Sequence, residues 1–366
     1  MVQKLIGKEL MSRRINQIEP LIDSKDVNAV KDYLNSGGWL TEHKETQLFE
    51  NNIKKYVQRN YSIAVPNGTI ALYLSLKALG IGKGDKVAVP NLTMIATINS
   101  VLWADATPVL VDVDEYLCMS FENLQRIRGL KAVIFVPLNG RVGDGEKIEK
   151  WCKNHNIFLI EDSAHALGSS YNKTKKCGSL GDISIFSFTP HKIITMGQGG
   201  MILTNKKSIA EKIVRMKTFN RLKDKSDFHA GFGLNFKITD LQASIGNSQF
   251  YKIENHISKK LDLMKNYLEF LPKEIKIVEF SSFEVPWFIE IIFKSKNQKL
   301  KAISKLSKQN IETRLAYPPL SKQNYLKKYS NNRLSYSEFI FDKILWMPSS
   351  LNLSKKDIRN ICSFLI

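Results

Sequence analysis

The central part of the chain alternates short apolar runs with stretches of helical spacing. Lys86–Pro90, Pro108–Val113, Lys131–Leu138, Ile157–Asp162, Ile183–Phe188 and Met201–Thr204 have the length and content of buried strands. Between them, Thr69–Leu79 and Thr93–Trp103 have helical spacing, the first ending at Gly80, and Glu146–Asn154 reads as a polar-faced helix. Unbroken apolar strands alternating with helices are what a parallel sheet covered on both faces requires. The pattern from Ile63 to Asn205 therefore predicts an α/β layer with a mostly parallel central sheet. Asp240–Asn255 predicts the start of a long helix, with Asp240 near its N-cap. From about Leu271 the pattern changes to separate segments, Ile275–Phe280, Phe288–Phe293, Lys301–Gln309 and Lys356–Phe364, as in a smaller α+β domain. The division expected is an N-terminal segment (1–25), a large domain (26–270) and a small C-terminal domain (271–366).

Composition narrows the class. A chain of 366 residues with 43% hydrophobic and 10% aromatic residues can build a full core, which excludes general disorder. The net charge of +19 raises a nucleic-acid or anionic-membrane reading. Against it, the basic residues are spread along the chain, with no helix-turn-helix, zinc module or polybasic block. Cys118, Cys152, Cys177 and Cys362 are far apart and never at CxxC spacing. They suggest neither a metal site nor a redox pair, and they fit a reducing compartment. The opening MVQKLIGKELMSRRINQ lacks the apolar run of a signal peptide, and no stretch approaches the ~20 apolar residues of a spanning helix. The expectation is a cytoplasmic protein that binds neither membrane nor nucleic acid.

Three features carry chemistry. Pro66-Asn67-Gly68-Thr69 precedes a helix, where free N–H groups, a glycine and a hydroxyl suit a phosphate; an ordinary N-cap turn fits equally. Glu161-Asp162 ends the strand IFLIED, at the edge where doubly wound sheets bind ligands. A carboxylate there can pair with a ring nitrogen, or simply cap the strand end. Phe186-Ser187-Phe188-Thr189-Pro190-His191-Lys192 runs from a strand into a turn, followed by Gly197-Gln198-Gly199-Gly200. An acid for a pyridinium, a lysine for an imine and a phosphate cup are the parts of a pyridoxal 5′-phosphate (PLP) site.

These segments resemble the DegT/DnrJ family of PLP-dependent nucleotide-sugar aminotransferases, of aspartate-aminotransferase-like type I fold. The likeness runs in family order from Gly38-Trp39-Leu40-Thr41 through PNGTIALYLSLKALGIGKGD, IEDSAHALGSSY, GSLGDISIFSFTPHKIITMGQGG and GLNFKITDLQASIGNSQ. It continues to Ile311-Glu312-Thr313-Arg314 and Trp346-Met347-Pro348-Ser349-Ser350. The resemblance implies that Lys192 carries PLP and moves protons, and that Asp162 pairs with the pyridine nitrogen. It implies that His165 lies against the cofactor, and that Gly68, Thr69 and Ser187 hold its phosphate. Asn235 would reach the phosphate of a neighbouring subunit, so that a homodimer shares its sites, and Lys237 could face the substrate diphosphate. L-Glutamate would be the amino donor and a nucleotide-diphosphate ketosugar the acceptor. The segment KIITMGQGG is more like members that aminate C4 of a 4-keto-6-deoxy sugar, for surface polysaccharide or glycan synthesis. Several positions depart from the pattern. Met94 stands where an aromatic usually covers the PLP ring, and Gln198 replaces a Glu. Pro137 and Ser321 replace histidines expected on the substrate side. Two alternatives are carried: a ketosugar dehydratase of the same family, which would need histidine in place of Lys192, and a non-catalytic regulator built on the same fold.

Overall fold

A computed structural model describes residues 14–222, 227–330 and 334–365. Seven strands, β1 (Tyr61–Val65), β2 (Lys86–Pro90), β3 (Thr107–Val111), β4 (Leu130–Phe135), β5 (Phe158–Asp162), β6 (Ile183–Ser187) and β7 (Gly200–Thr204), form one sheet in the order β1-β7-β6-β5-β4-β2-β3. Pairing is parallel among β3, β2, β4, β5 and β6, while β7 runs antiparallel to both β6 and β1. The strands are buried almost throughout, as their unbroken apolar character demands. Helices Gly68–Ala78, Ile95–Trp103, Gly145–Asn154 and Lys207–Lys217 connect or flank them. The expected strands and helices of this region are all present, with ends shifted by at most three residues and Lys86–Pro90 unshifted.

Four further strands, β8 (Lys276–Ile277), β9 (Ile289–Ile292), β10 (Arg314–Leu315) and β11 (Ile344–Met347), make an antiparallel sheet in the order β10-β11-β9-β8. Helices Lys296–Lys308 and Lys355–Ser363 belong to the same stretch of chain. The expected strand Ile275–Phe280 shrinks to two paired residues, continued by Val278 N–H donating to Glu290 O at 3.0 Å. Residues Ile15–Glu19 also join this part: Ile15 bridges Ile311, and Ser349 N–H donates to Gln17 O at 2.7 Å. One apolar cluster runs from the large sheet (Val65, Val89, Ile134, Ile160) to Trp287, Phe288 and Trp346, so the two sheets share core.

Two differences from the sequence reading have physical causes. The helix begun at Asp240 stops at Phe250 and a second runs Ile253–Phe270. At the break Lys252 ion-pairs with Asp23 and Asp26 at 2.9 and 2.8 Å. Thr239, not Asp240, caps the first helix, in a reciprocal box with Gln242. The fully buried Asp240 carboxylate instead accepts from the N–H groups of His43, Glu45 and Thr46, at 2.7, 3.0 and 3.1 Å. It also takes the hydroxyls of Thr46 and Tyr33, at 2.6 and 3.1 Å. It thereby closes the N-terminus of the helix Lys44–Val57, which lacks a side-chain cap of its own.

Candidate active site

The topology brings several strand ends to one edge. β1, β6, β5, β4 and β2 all point their carboxyl ends there, and the antiparallel β7 begins there. Gly200, the first residue of β7, pairs with both Val65 and Ser187. A Cβ on Gly200 would lie 2.6 Å from the Asn67 carbonyl, so only glycine lets the Asn67-Gly68 turn close against Ser187. At this edge lies a cavity of about 420 Å³ lined by Gly68, Thr69, Met94, Asp162, His165, Ser187 and Lys192, among others. Seven of the eight residues expected around the cofactor, all but Asn235, therefore meet in one cavity, although 124 positions separate Gly68 from Lys192.

Lys192 is half-buried on a turn whose N–H donates to Thr189 O at 3.0 Å. Its ε-amino group lies 4.0 Å from the centroid of the Trp287 ring. Burial lowers its pKa to about 7, Asp162 opposes the fall, and Arg314 adds to it. A lysine so poised holds a sizeable neutral fraction near pH 7, which nucleophilic and base chemistry both need. Asp162 is buried at the end of β5. Its Oδ2 accepts from the Thr97 hydroxyl at 3.0 Å and its Oδ1 from Ala164 N–H at 3.3 Å. Burial raises its pKa, against those two donors and the charge of Lys192. Glu161, one residue earlier, points to the opposite face, as strand geometry requires. There it accepts from Ser163, Tyr171, Gly178 N–H and Leu180 N–H at 2.7–3.0 Å and holds the loop between β5 and β6.

At the other end of the cavity, the Asn67 side chain caps the helix Gly68–Ala78 by accepting from Ile70 N–H at 3.0 Å. The amides of Gly68 and Thr69 are left in the first turn, with the hydroxyls of Thr69 and Ser187 beside them. A Cβ on Gly68 would come 3.2 Å from Ser187 Cβ and narrow this end. Met94 lines the cavity, 40% exposed, its sulfur accepting from Ala96 N–H at 3.0 Å. His165 is buried, stacks on Trp287 with centroids 3.9 Å apart, and its pKa falls well below the ordinary value through burial and the nearby Lys192 and Arg314. Among the described residues its Nδ1 is buried without a hydrogen-bond partner.

Other expectations land elsewhere. Asn235 and Lys237 are exposed and outside this cavity, on the loop that bridges Thr218 to Asn235. Trp39 is 70% exposed and does not line this cavity. Neither histidine-replacing residue faces the cavity: Pro137 is buried beside it, and Ser321 is buried in a network with Asn91 and Glu338. Conversely, Thr97, Trp287, Arg314 and Tyr317 line the cavity without having been singled out for it. Thr97 was findable, since it lies in the first turn of the helix that Met94 caps. The other three come from β10 and from segments flanking β9 and β10; Arg314 closes a segment that carries the family likeness, whereas nothing local in the sequence marks Trp287 or Tyr317.

Comparison with known proteins decides the family. The model of the DegT/DnrJ/EryC1/StrS aminotransferase family matches residues 20–366. The chain belongs to this family. It is 33% identical to a GDP-perosamine synthase of Escherichia coli O157:H7, covering 94% of this chain and 95% of that one. It is 30% identical to a dTDP-3-amino-3,6-dideoxy-alpha-D-galactopyranose transaminase of Aneurinibacillus thermoaerophilus, covering 92% and 93%. A Streptococcus pneumoniae protein assigned as a sugar aminotransferase, solved in its pyridoxamine-phosphate (PMP) form, superposes with a TM-score of 0.88. It is 25% identical and covers 96% of this chain and 97% of that one. The aminotransferase assignment, the type I PLP fold and PLP as cofactor follow. The donor set fits the cofactor: a primary amine, a buried carboxylate, a helix N-terminus flanked by hydroxyls, and a buried imidazole nitrogen without a protein partner. Among the described residues no helix is long and apolar enough to cross a membrane.

Proposed function

We propose that the enzyme transfers the amino group of L-glutamate to a nucleotide-diphosphate-linked ketosugar, at C4 of a 4-keto-6-deoxy sugar, in surface polysaccharide or glycan synthesis. The observation that carries this reading is Lys192 and Asp162 lining one cavity in a chain that resembles a GDP-perosamine synthase over nearly its whole length. Bound PLP supplies an electron-withdrawing ring that stabilises charge on a carbon next to a linked amine. The residues divide the remaining work. Lys192 Nζ would hold the cofactor and, as a free amine, would accept the proton from the donor α-carbon and return it to the product. The Asp162 carboxylate, held by Thr97 and Ala164, would accept from the protonated ring nitrogen and keep the proton there. His165 and Met94 would pack against the ring, Met94 through its polarisable sulfur. Gly68 and Thr69 N–H groups, with the Thr69 and Ser187 hydroxyls, would hold the phosphate.

The assembly belongs to the same proposal. Asn235, exposed on its loop, would reach the phosphate of a second subunit, so that a homodimer completes each site. The division into a large domain (26–270) and a small one (271–366), and a cytoplasmic location, are also part of this reading. Residues 1–13 of the N-terminal segment lie outside the described residues. The test is incubation with L-glutamate and a panel of GDP-, UDP- and dTDP-linked 3-keto and 4-keto sugars, following 2-oxoglutarate. Turnover with a 4-keto-6-deoxy sugar is expected. Turnover with 3-keto sugars alone would move the aminated carbon, and turnover with none would overturn the proposal.

A further inference from the structure

We propose that Trp287 is a positioning residue for Lys192: its indole face takes the ε-ammonium, and its indole N–H fixes the turn that carries the lysine. This rests on Lys192 being the reactive lysine, as proposed above. Trp287 is buried just before β9, on the C-terminal part of the chain, and reaches across to the large sheet. Its Nε1–H donates to His191 O at 2.6 Å, one residue from Lys192. The Lys192 nitrogen lies 4.0 Å from the ring centroid, and among the described residues it makes no hydrogen bond or ion pair. Three neighbouring rings fix the indole. His165 and Phe288 stack on it at 3.9 and 3.8 Å, and Trp346 meets it edge-on at 6.0 Å. Its main chain is held as well: its N–H donates to Asn139 O at 3.1 Å. Its carbonyl accepts from Lys260 Nζ at 2.7 Å, and the buried Lys260 also donates to Ser349 O at 2.7 Å.

The physical consequence is specific to charge. A ring face attracts an ammonium and gives a neutral amine little beyond packing. Burial drives Lys192 toward the neutral form, so Trp287 supports the protonated form that the lysine takes when it is free of the cofactor and has accepted a proton. A tryptophan that merely filled space would leave this balance unchanged.

The ring's charge distribution can be altered at constant shape. The five tryptophans are replaced by analogues carrying one, then two or more ring fluorines, which weaken the π-face. Among the described residues, Trp287 is the only tryptophan with a lysine nitrogen over its ring. In the full-length, cofactor-free protein, the pH dependence of acylation at Lys192 is followed by peptide mass spectrometry. The Lys192 pKa should fall stepwise with fluorination, by about half a unit or more across the series. Trp287→Leu should lower it likewise, and Trp287→Phe should restore most of the loss. A pKa independent of fluorination, or raised by it, would overturn the proposal. Failure of the parent reading is seen separately: borohydride would then fix the cofactor to another residue, whatever the acylation profile.

Discussion

Thr97→Val tests the electrostatics of the site at its most sensitive point. The substitution keeps the shape of the side chain and removes one hydroxyl. That hydroxyl donates to Asp162 Oδ2 at 3.0 Å in a buried setting. A hydrogen bond to a charged group contributes about 1.5–3 kcal/mol. At about 1.4 kcal/mol per factor of ten, its loss is worth roughly ten- to a hundredfold in any equilibrium that needs Asp162 ionised. Binding of PLP with a protonated ring nitrogen is such an equilibrium. The sign follows from the existing shift. Burial already raises the Asp162 pKa, and Thr97 is the strongest of the groups opposing it. Removing it raises the pKa further, so PLP binding should begin to weaken at a higher pH as the solution is acidified. The assay is the dissociation constant of PLP for cofactor-free protein across pH 5–8, for wild type, Thr97→Val and Thr97→Ser. Serine, which keeps the hydroxyl, should behave like wild type. Equal affinity and an unmoved acid limb in the valine variant would refute the assignment of Asp162 as the ring-nitrogen partner.

Two stability predictions follow from buried charges. Asp240→Ala leaves three backbone N–H donors of the helix start at 43–46 without their acceptor. It should cost about 3 kcal/mol or more in urea unfolding. Burial raises the Asp240 pKa, but the Thr46 hydroxyl and the N–H groups of His43, Glu45 and Thr46 more than offset this and hold it below its ordinary value. Its stabilisation should therefore be lost as the pH falls through that lowered value, and the alanine variant should lack this acid-side loss. Lys260 is the opposite case. Burial lowers its pKa from 10.5 to about 7, so between these values the unfolded chain binds the extra proton. Stability should rise with pH across that window, by up to about 1.4 kcal/mol per unit for this group. Lys260→Met should flatten that slope in denaturation curves recorded from pH 7 to 10.

How much was legible in the sequence depended on whether the signal was local. β2, β5 and β6 declare themselves because strands buried on both faces are unbroken apolar runs, and the glycines and Asn67 mark the turn that packs on Ser187. The choice between Glu161 and Asp162 was open in the motif, yet the two-residue period of a strand sends them to opposite faces, and topology makes the Asp162 face the cavity. Asp240 looked like a cap because acidic residues favour helix starts, and it does cap a helix, but one almost 200 residues away in the chain. Trp287 and Tyr317 were silent for a related reason. They sit next to strands of two to four residues, in segments that read as core, and only long-range packing turns them toward Lys192.

The central claim is that Lys192 bears the cofactor. Reducing the PLP-loaded enzyme with borohydride, digesting it and mapping the pyridoxyl group by mass spectrometry reads this directly. The adduct is expected on the peptide containing Lys192, and to vanish in Lys192→Ala. An adduct on another lysine, or none in an enzyme that has demonstrably bound PLP, would contradict the account.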